Sequence, residues 1–197
     1  MVINMKDLIK QRISESIAVK EKLLQDDELL DTLVSLSTCV VDCLKNGGKL
    51  ILCGNGGSAS DALHFAGEIV GRFQKERSPW PAVVLHADVA SLTAIANDYS
   101  YEDAFAREAK AFTRPEDILI GISTSGNSEN VFRAIRAAND INAKTAAFLG
   151  RDGGKIKSLV DYAIIVPENV TARVQESHIT LIHILCELVE NEMIKYE

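Results

Sequence analysis

A carboxylate and an imidazole stand four residues apart at Glu68 and His64, and such a pair can exchange protons with a bound molecule. Residues at i and i+4 of a helix lie on one face, about one turn apart, so both side chains would point to the same place. The pattern has a second interpretation, because a histidine and a glutamate at this spacing also form ordinary surface pairs. Both interpretations remain open.

A second imidazole, His183, lies in a long apolar run near the end of the sequence. It is either a core histidine whose ring nitrogens are satisfied or a working group that faces a crevice. Asn97 and Asp98 interrupt two helical patterns, which is typical of an Asx turn or of a loop that faces a ligand. The fold must decide between these alternatives.

Two loops of Gly, Ser, Thr and Asn each follow an apolar run and precede a helical pattern. The first is Gly54–Ser60 and the second is Ser123–Ser128. Glycines let the backbone approach a ligand, and hydroxyl groups donate hydrogen bonds. The helix that follows directs its free N–H groups and positive dipole end to the same point. Two such loops predict an anion site, with phosphate as the expected ligand.

The first loop also fits a dinucleotide fingerprint, because Gly54, Gly56 and Ala59 match the spacing G-x-G-x-x-G/A. That motif needs an acidic residue about 20 positions on, at the end of the next strand. Here the next predicted strand ends at His86, and Asp88 lies well beyond that distance. A pyrophosphate would leave the second loop unexplained. Ordinary tight turns are a further alternative, but two such loops in one domain favour the phosphate site.

Length and charge limit the class of protein. The chain has 197 residues, of which 47% are hydrophobic, and this suits one well-cored domain. The formal net charge of −7 argues against nucleic-acid and anionic-membrane partners, because these are held by a high density of Lys and Arg.

The cysteines and the absence of long apolar runs indicate the cellular compartment. Residues 1–12 lack the core of a signal peptide, and no segment offers about 18 uninterrupted apolar residues, so we expect neither secretion nor a membrane span. Cys39, Cys43, Cys53 and Cys186 are scattered through apolar stretches without a C-x-x-C pair. Such thiols are typical of a reducing compartment, which predicts a cytoplasmic protein.

The elements that must position these residues follow from hydrophobic periodicity. Two amphipathic helices, Asp7–Leu24 and Asp27–Lys45, precede an alternation of short β-rich runs and helical patterns. This alternation predicts a parallel sheet, and both Gly/Ser loops then fall at the carboxyl ends of strands, where such sheets bind ligands. The predicted strands are Lys49–Cys53, Ala82–His86, Asp117–Ile122, Thr145–Leu149 and Tyr162–Val166. The further predicted helices are Ser58–Gln74, Val89–Ala96, Tyr101–Phe112, Ser128–Asn139, a short Lys155–Val160 and Thr171–Tyr196.

Assembled in order, these residues resemble the sugar isomerase (SIS) family and, within it, the phosphoheptose isomerases. The resemblance covers nearly the whole chain, and the joint order of the short motifs is highly specific. The matching segments are Cys53–Ser58, His64–Glu68, Gly71–Arg72, Ala96–Asp98, Gly121–Ser128, Asp152–Lys155 and Arg173–Glu176 followed by His183. The family implies an α/β three-layer sandwich with a five-stranded parallel sheet, flavodoxin-like or Rossmann-like, and extra N-terminal helices.

The activity that the resemblance implies is aldose–ketose isomerisation of D-sedoheptulose 7-phosphate to D-glycero-D-manno-heptose 7-phosphate. This is the first step of nucleotide-activated heptose synthesis for lipopolysaccharide core or another surface glycan. The reaction moves a proton between C1 and C2 through an enediol, so it needs a base near the carbons and an acid near the oxygens. Two alternatives are a non-catalytic phosphosugar-binding module on the same fold and an isomerase of another sugar phosphate.

The family's pattern also implies roles for individual residues, with Glu68 as the base and His183 as the acid. The implied phosphate ligands are Ser123, Thr124, Ser125 and Ser128, with Ser58 assisting. The residues implied to position the sugar are Asn55, Gly56, Gly57, Glu68, Arg72, Asn97, Asp98 and Gln175. One zinc ion per subunit is implied, with ligands at His64, Glu68, Gln175 and His183. Gln175 lies eight residues before His183, about 12 Å along a regular helix, so sharing a metal requires a bent or shifted helix start.

The family further implies a homotetramer in which a neighbouring subunit completes each active site. The chain is then expected to be a single SIS domain, 1–197. Its N-terminal helical pair, 1–47, would serve oligomerisation, and 48–197 would form the sugar-phosphate-binding α/β core. The helical pair suits this role, because a small sheet domain does not need both helices to close its core.

Overall fold

The computed structural model describes residues 4–196, and within that range the chain forms seven α-helices and one five-stranded sheet. The helices are α1 Met5–Leu24, α2 Asp27–Lys45, α3 Gly57–Val70, α4 Val89–Asp98, α5 Ala104–Phe112, α6 Glu129–Asn139 and α7 Thr171–Met193. The strands are β1 Leu50–Gly54, β2 Ala82–Val84, β3 Ile118–Ser123, β4 Lys144–Gly150 and β5 Tyr162–Val166. Two 3-10 turns, Tyr101–Asp103 and Lys157–Leu159, complete the described elements.

The sheet is parallel throughout, with strand order β2-β1-β3-β4-β5. Every residue of β1 and β3 is buried, because both faces of a parallel sheet are covered by helices and the strands read as continuous apolar runs. One apolar cluster joins the sheet to α1, α2, α3 and α7, and a second joins its other face to α5 and α6. The predicted three-layer α/β fold is confirmed.

The strand order places the two Gly/Ser loops side by side. Connections leave β1 and β3 toward opposite faces of the sheet, and the order 2-1-3-4-5 has its switch point between these two strands. Leu50 to Gly54 pair in register with Ile118 to Ile122, so β1 and β3 end at the same edge. Ligands of open parallel sheets bind at such a point, which is where the sequence predicts the anion site.

The two N-terminal helices differ in how they pack. Helix α2 buries eight residues against the core, whereas α1 buries two, Val19 and Leu23. Helix α1 instead exposes an apolar row at four-residue spacing, Met5, Ile9, Ile13 and Ile17. The core therefore relies mainly on α2, and α1 keeps an exposed apolar face.

Several element boundaries differ from those predicted by periodicity. Helix α3 ends at Val70 rather than Gln74, because the chain turns at Gly71 into a loop held by tertiary contacts. Helix α4 continues to Asp98, so the predicted break at Asn97 lies inside its last turn. The predicted helix over 101–112 begins as the 3-10 turn Tyr101–Asp103, and the short predicted helix over 155–160 is the 3-10 turn Lys157–Leu159. Helix α7 ends at Met193 rather than at Tyr196.

Candidate active site

The second loop is shaped by hydrogen bonds among its own residues. Ser123 at the end of β3 and Ser128 at the start of α6 bring their Oγ atoms within 2.8 Å. Gly126 has a φ of +66°, and a Cβ at this position would lie 2.1 Å from the carbonyl oxygen of Gly153. Only glycine fits both the backbone angle and the contact. The loop is therefore held in one shape, with its serine hydroxyls gathered together.

Asn127, to which sequence reasoning assigned no role, fixes the tip of the same loop. Its Nδ2 donates to the carbonyl oxygen of Ser125 at 2.8 Å, and its Oδ1 accepts from the N–H of Lys155 at 3.1 Å. Its own N–H donates to Ser125 Oγ at 3.1 Å. Thr124 and Ser125, both half-buried, are thereby held between the ends of β3 and α6.

The start of α6 completes the anion site. Ser128 occupies the N-cap position, yet among the described contacts its side chain makes no capping hydrogen bond, so N–H groups of the first turn remain available to a ligand. Glu129 in that turn forms ion pairs with Lys155 and Arg133. Hydrogen bonds from Lys155, which has the larger effect, and from Arg133 lower the pKa of Glu129. The cations balance a carboxylate that would otherwise repel an anion.

The first loop is tied to the second by an exchange of side-chain amides. Asn55 and Asn130 donate to each other through Nδ2 and accept through Oδ1, both at 2.9 Å. Tyr101 donates its hydroxyl to Asn55 Oδ1 at 2.7 Å. Asn130 and Tyr101 were not predicted as site residues. Asn130 could have been identified from its position, two residues after the second loop.

Gly56 and Ser58 form the start of α3. Gly56 has a φ of +57° at the N-cap of α3, a conformation that favours glycine. Ser58 is buried, whereas Gly56 and Gly57 are exposed. The positive N-terminal end of α3 lies beside that of α6, because Asn55 and Asn130 are hydrogen bonded, and this agrees with the predicted phosphate site.

The predicted acid–base residues meet where α3 packs against α7. His64 Nε2 lies 2.9 Å from Glu68 Oε1, and His183 Nε2 lies 3.4 Å from His64 Nε2. One ligand atom from each of the three residues lies within 4.8 Å of the other two. The imidazole rings meet nearly edge to face, with 4.9 Å between centroids. His183 therefore faces this cluster, which we call the His–Glu–His cluster, and is not a satisfied core histidine.

Gln175 lies on α7 at the level of the first loop. A Cβ on Gly57 would come within 2.6 Å of Gln175 Nε2, so the amide rests on the backbone at the start of α3. Helix α7 runs unbroken through Gln175 and His183. The structure thus places the Gln175 amide against the start of α3, on the same helix as His183.

The remaining predicted residues, Arg72, Asn97 and Asp98, are exposed. Arg72 pairs with Glu76 at 3.7 Å, and Asn97 Nδ2 donates to Asp98 Oδ1 at 2.9 Å. Their described polar contacts stay within their own segments. Within residues 4–196, no described polar contact joins these three side chains to the loops or to the cluster.

Two titratable residues behind the first loop, the half-buried His86 and the buried Glu108, were not predicted from the sequence. His86 Nε2 lies 3.1 Å from the carbonyl oxygen of Ala59, and burial lowers the pKa of this histidine. Burial, together with the charge of Asp88, raises the pKa of the Glu108 carboxyl to about 7. Neither residue type nor spacing distinguishes them, because their burial depends on how α5 packs on the sheet.

Comparisons with known proteins agree with this geometry. The SIS domain model matches residues 15–150. The phosphoheptose isomerase of Helicobacter pylori strain P12 is 51% identical over 93% of this chain and 95% of its own length, and that of Aquifex aeolicus is 48% identical over 94% and 96%. The solved phosphoheptose isomerase from Neisseria gonorrhoeae is 40% identical, with a TM-score of 0.90 over 95% of this chain and all of that one.

Proposed function

The chain belongs to the phosphoheptose isomerases of the SIS domain family, and from this premise we propose how its residues isomerise sedoheptulose 7-phosphate. One observation carries the proposal, the convergence of a carboxylate and two imidazoles between α3 and α7. A binding module without catalysis has no need of such a cluster. The comparisons likewise favour the isomerase over that alternative.

In this proposal Glu68 moves the carbon-bound proton. Its carboxylate removes a proton from C1 of the ketose, the electron pair forms the enediol, and a proton that has at least partly exchanged with solvent is returned to C2. His183 donates a proton to the oxygen on C2 and accepts one from the oxygen on C1. Proton transfers by positioned side chains of this kind contribute about 10²- to 10⁴-fold to a rate.

The phosphate of the substrate is assigned to the second loop, with Ser123, Thr124, Ser125 and Ser128 as ligands. Support comes from the gathered hydroxyls and from the available N–H groups at the start of α6. Ser58 assists from the start of α3. A seven-carbon chain then spans the distance between the loops and the cluster, beside Asn55, Gly56, Gly57 and Gln175. Arg72, Asn97 and Asp98 remain proposed sugar contacts without support from the single chain.

The His–Glu–His cluster also fits a zinc ion. Imidazole and carboxylate are its usual ligands, and two ligands of a tetrahedral zinc stand about 3.4 Å apart, as the two Nε2 atoms do. We assign His64, Glu68, Gln175 and His183 to this ion, with Glu68 alternating between binding the metal and acting as the base. Gln175 and His183 are about 12 Å apart along α7, so sharing the ion needs a shift at the start of that helix. When bound, zinc would polarise the substrate oxygens as a Lewis acid.

A homotetramer is proposed from the exposed face of α1. Met5, Ile9, Ile13 and Ile17 are each at least half exposed, and an apolar row of this kind on a soluble protein marks an interface. A neighbouring subunit could then supply the contacts that Arg72, Asn97 and Asp98 lack. Light scattering at micromolar concentration should give four times the chain mass of 21.5 kDa, whereas a monomeric mass would contradict the proposal.

The proposed compartment is the cytoplasm. All four cysteines are free thiols, as expected in a reducing environment. Burial raises the pKa of Cys43 and Cys53 to about 12, which keeps both thiols protonated. Across the described residues, no helix is both long and apolar enough to cross a bilayer.

The experiment that tests the proposed function is an NMR turnover assay with sedoheptulose 7-phosphate, run on untreated protein, with a chelator, and with zinc restored. We expect conversion to a heptose 7-phosphate, loss of conversion with chelator and recovery with zinc. Phosphosugar binding without conversion in any arm would contradict the catalytic proposal. Conversion that resists exhaustive chelation would contradict the zinc assignment alone.

A further inference from the structure

A buried carboxylate on α7 organises the chain that leaves α3. Glu190 Oε1 accepts the N–H of Phe73 at 3.0 Å, and Oε2 accepts those of Gln74 and Lys75, both at 2.9 Å. Three consecutive backbone donors therefore converge on one side chain that is more than 110 residues away in sequence. Without Glu190 these donors would have to find other partners, so this contact determines the path of residues 73–75.

Arg77, two residues beyond this segment, closes the end of α3. Its Nη2 donates to the carbonyl oxygen of Glu68 at 2.7 Å, and its Nη1 donates to that of Ile69 at 3.0 Å. The last carbonyls of a helix lack partners inside the helix, and a cation at this end also interacts favourably with the helix dipole. Arg77 is therefore the C-terminal cap of α3, and one of the carbonyls it caps belongs to Glu68 itself.

Arg77 and Glu190 hold each other in place. Arg77 Nε lies 3.2 Å from Glu190 Oε1, and the two side chains are only 1% and 2% exposed. The guanidinium also lies over the ring of Trp80, 3.6 Å from its centroid. Burial raises the pKa of Glu190, but hydrogen bonds from Gln74, Phe73, Lys75 and Arg77 outweigh it, and the net direction is down. The pair is thus charged on both sides and shielded from water.

The same pair reaches the second member of the cluster. The Phe73 ring, whose backbone N–H is bound by Glu190, lies 5.7 Å from the His183 ring, centroid to centroid. His183 and Glu190 are seven residues apart on α7, which is two turns, so they lie on the same side of the helix. One carboxylate therefore supports Glu68 through Arg77 and His183 through Phe73.

We propose that Arg77 and Glu190 are positioning residues for the isomerisation, a role that rests on the proposed function of Glu68 and His183. The pair fixes the end of α3 against α7 and so sets the separation of the base and the acid. It touches neither substrate nor reacting atoms in this account. Misplacing catalytic groups by about 1 Å costs about 100-fold in rate. Substitutions in the pair should therefore lower kcat and leave KM nearly unchanged.

The chain offers a matched control at the amino end of the central strand β3. Asp117 is also buried and accepts the backbone N–H groups of Lys49 and Arg114, at 2.9 Å and 2.8 Å. It pairs with Lys49 Nζ at 2.6 Å, and its side chain is 1% exposed. Glu190→Gln and Asp117→Asn therefore make the same chemical change in two similar settings, and only one setting adjoins the cluster.

The test compares kcat and KM of the wild type, Glu190→Gln and Asp117→Asn at a temperature where circular dichroism shows all three folded. We expect Glu190→Gln to lower kcat by about 10- to 100-fold with little change in KM. Asp117→Asn should lower the melting temperature but leave kcat near that of the wild type. Equal kcat values for the two variants, or a change confined to KM, would overturn the proposal. Arg77→Lys keeps the cation but loses the two-pronged contact, so it should fall between Glu190→Gln and the wild type.

A second measurement works without turnover. The ring-proton resonances of His183 report the position of Phe73, because the two rings are in contact. Glu190→Gln and Phe73→Leu should both shift these resonances, whereas Asp117→Asn should leave them in place. Unshifted His183 resonances in Glu190→Gln would contradict the positioning role even if the variant loses activity. If the wild type fails to isomerise the substrate, the proposed function fails, and this comparison still decides whether the pair positions His183.

Discussion

The serine loop over 123–128 and the His–Glu–His cluster reach their shapes by different routes. The loop is held mainly by neighbours in sequence, with Ser123 bound to Ser128 and Asn127 bound to Ser125, and by one hydrogen bond from Lys155. The cluster joins two helices, and the ion pair beneath it links residues 113 positions apart. Phosphate binding and proton transfer therefore have separate supports. Substitutions in the loop should change KM, and substitutions in the cluster or beneath it should change kcat.

The largest effect is expected for Glu68→Gln. The amide keeps the size of the side chain but cannot remove a proton, so kcat should fall by about 10²- to 10⁴-fold. Substrate binding, measured by calorimetry, should persist because the serine loop is unchanged. Glu187→Gln, at an exposed position one turn beyond His183, is the control and should keep full activity. Parallel loss of binding and turnover in Glu68→Gln would break the division between the two regions.

Next in size is a pH effect on the helix that carries His183. His178 is fully buried on α7, its Nε2 lies 2.9 Å from the carbonyl oxygen of Leu149, and burial lowers its pKa to about 4. A histidine whose folded pKa lies below its unfolded value of about 6.5 stabilises the fold above pH 6.5. That stability is lost as the pH falls toward 4, by about 3 kcal/mol in total.

His178→Gln keeps a donor for Leu149 and has no proton to gain. Its free energy of unfolding should therefore change less between pH 7 and pH 4.5 than that of the wild type. Urea unfolding at both pH values measures the difference. If the free energy of unfolding changes equally in the two proteins between pH 7 and pH 4.5, His178 is not the titrating group. The serine loop contains no titratable residue. Its variants should therefore show the same dependence of the free energy of unfolding on pH as the wild type.

Ser128→Ala tests the other region. Loss of a hydrogen bond to a charged ligand costs about 1.5–3 kcal/mol, so KM should rise by about 10-fold or more while kcat changes little. Ser35→Ala, which removes an exposed hydroxyl on α2, is the control and should leave both constants unchanged. A fall in kcat at unchanged KM would mean that the loop takes part in the chemical step.

The sequence predicts the serine loop and the sheet better than it predicts the His–Glu–His cluster. The serine loop and the parallel sheet could be recognised because their signals lie within short segments. The face of α7 on which His183 lies could not, because periodicity does not say which neighbour a helix side meets. The end of α3 was misplaced for a related reason: Glu190 determines the path of residues 73–75 from the far end of the chain. Asn130 and Tyr101 were missed because only the folded chain brings them to Asn55.

The smallest effect on turnover is expected behind the first loop, at Glu108, where the expected change is in stability. An acid whose folded pKa is raised to about 7 destabilises the fold as the pH rises from about 4.5 through 7. Glu108→Gln removes that charge and should raise the melting temperature at pH 8 by about 6–12 °C, with little change at pH 4.5. Calorimetry at the two pH values measures this. An equal gain at both values would point to packing rather than to charge.

The most direct test of the central claim is to follow the isomerisation in D₂O by NMR. If Glu68 transfers the proton through an enediol, deuterium should enter C2 of the heptose product with the wild type. With Glu68→Gln, both product and label should appear more slowly by the same factor, although the substrate still binds. Full conversion to equilibrium without deuterium at C2, or wild-type rates of labelling with Glu68→Gln, would contradict the account.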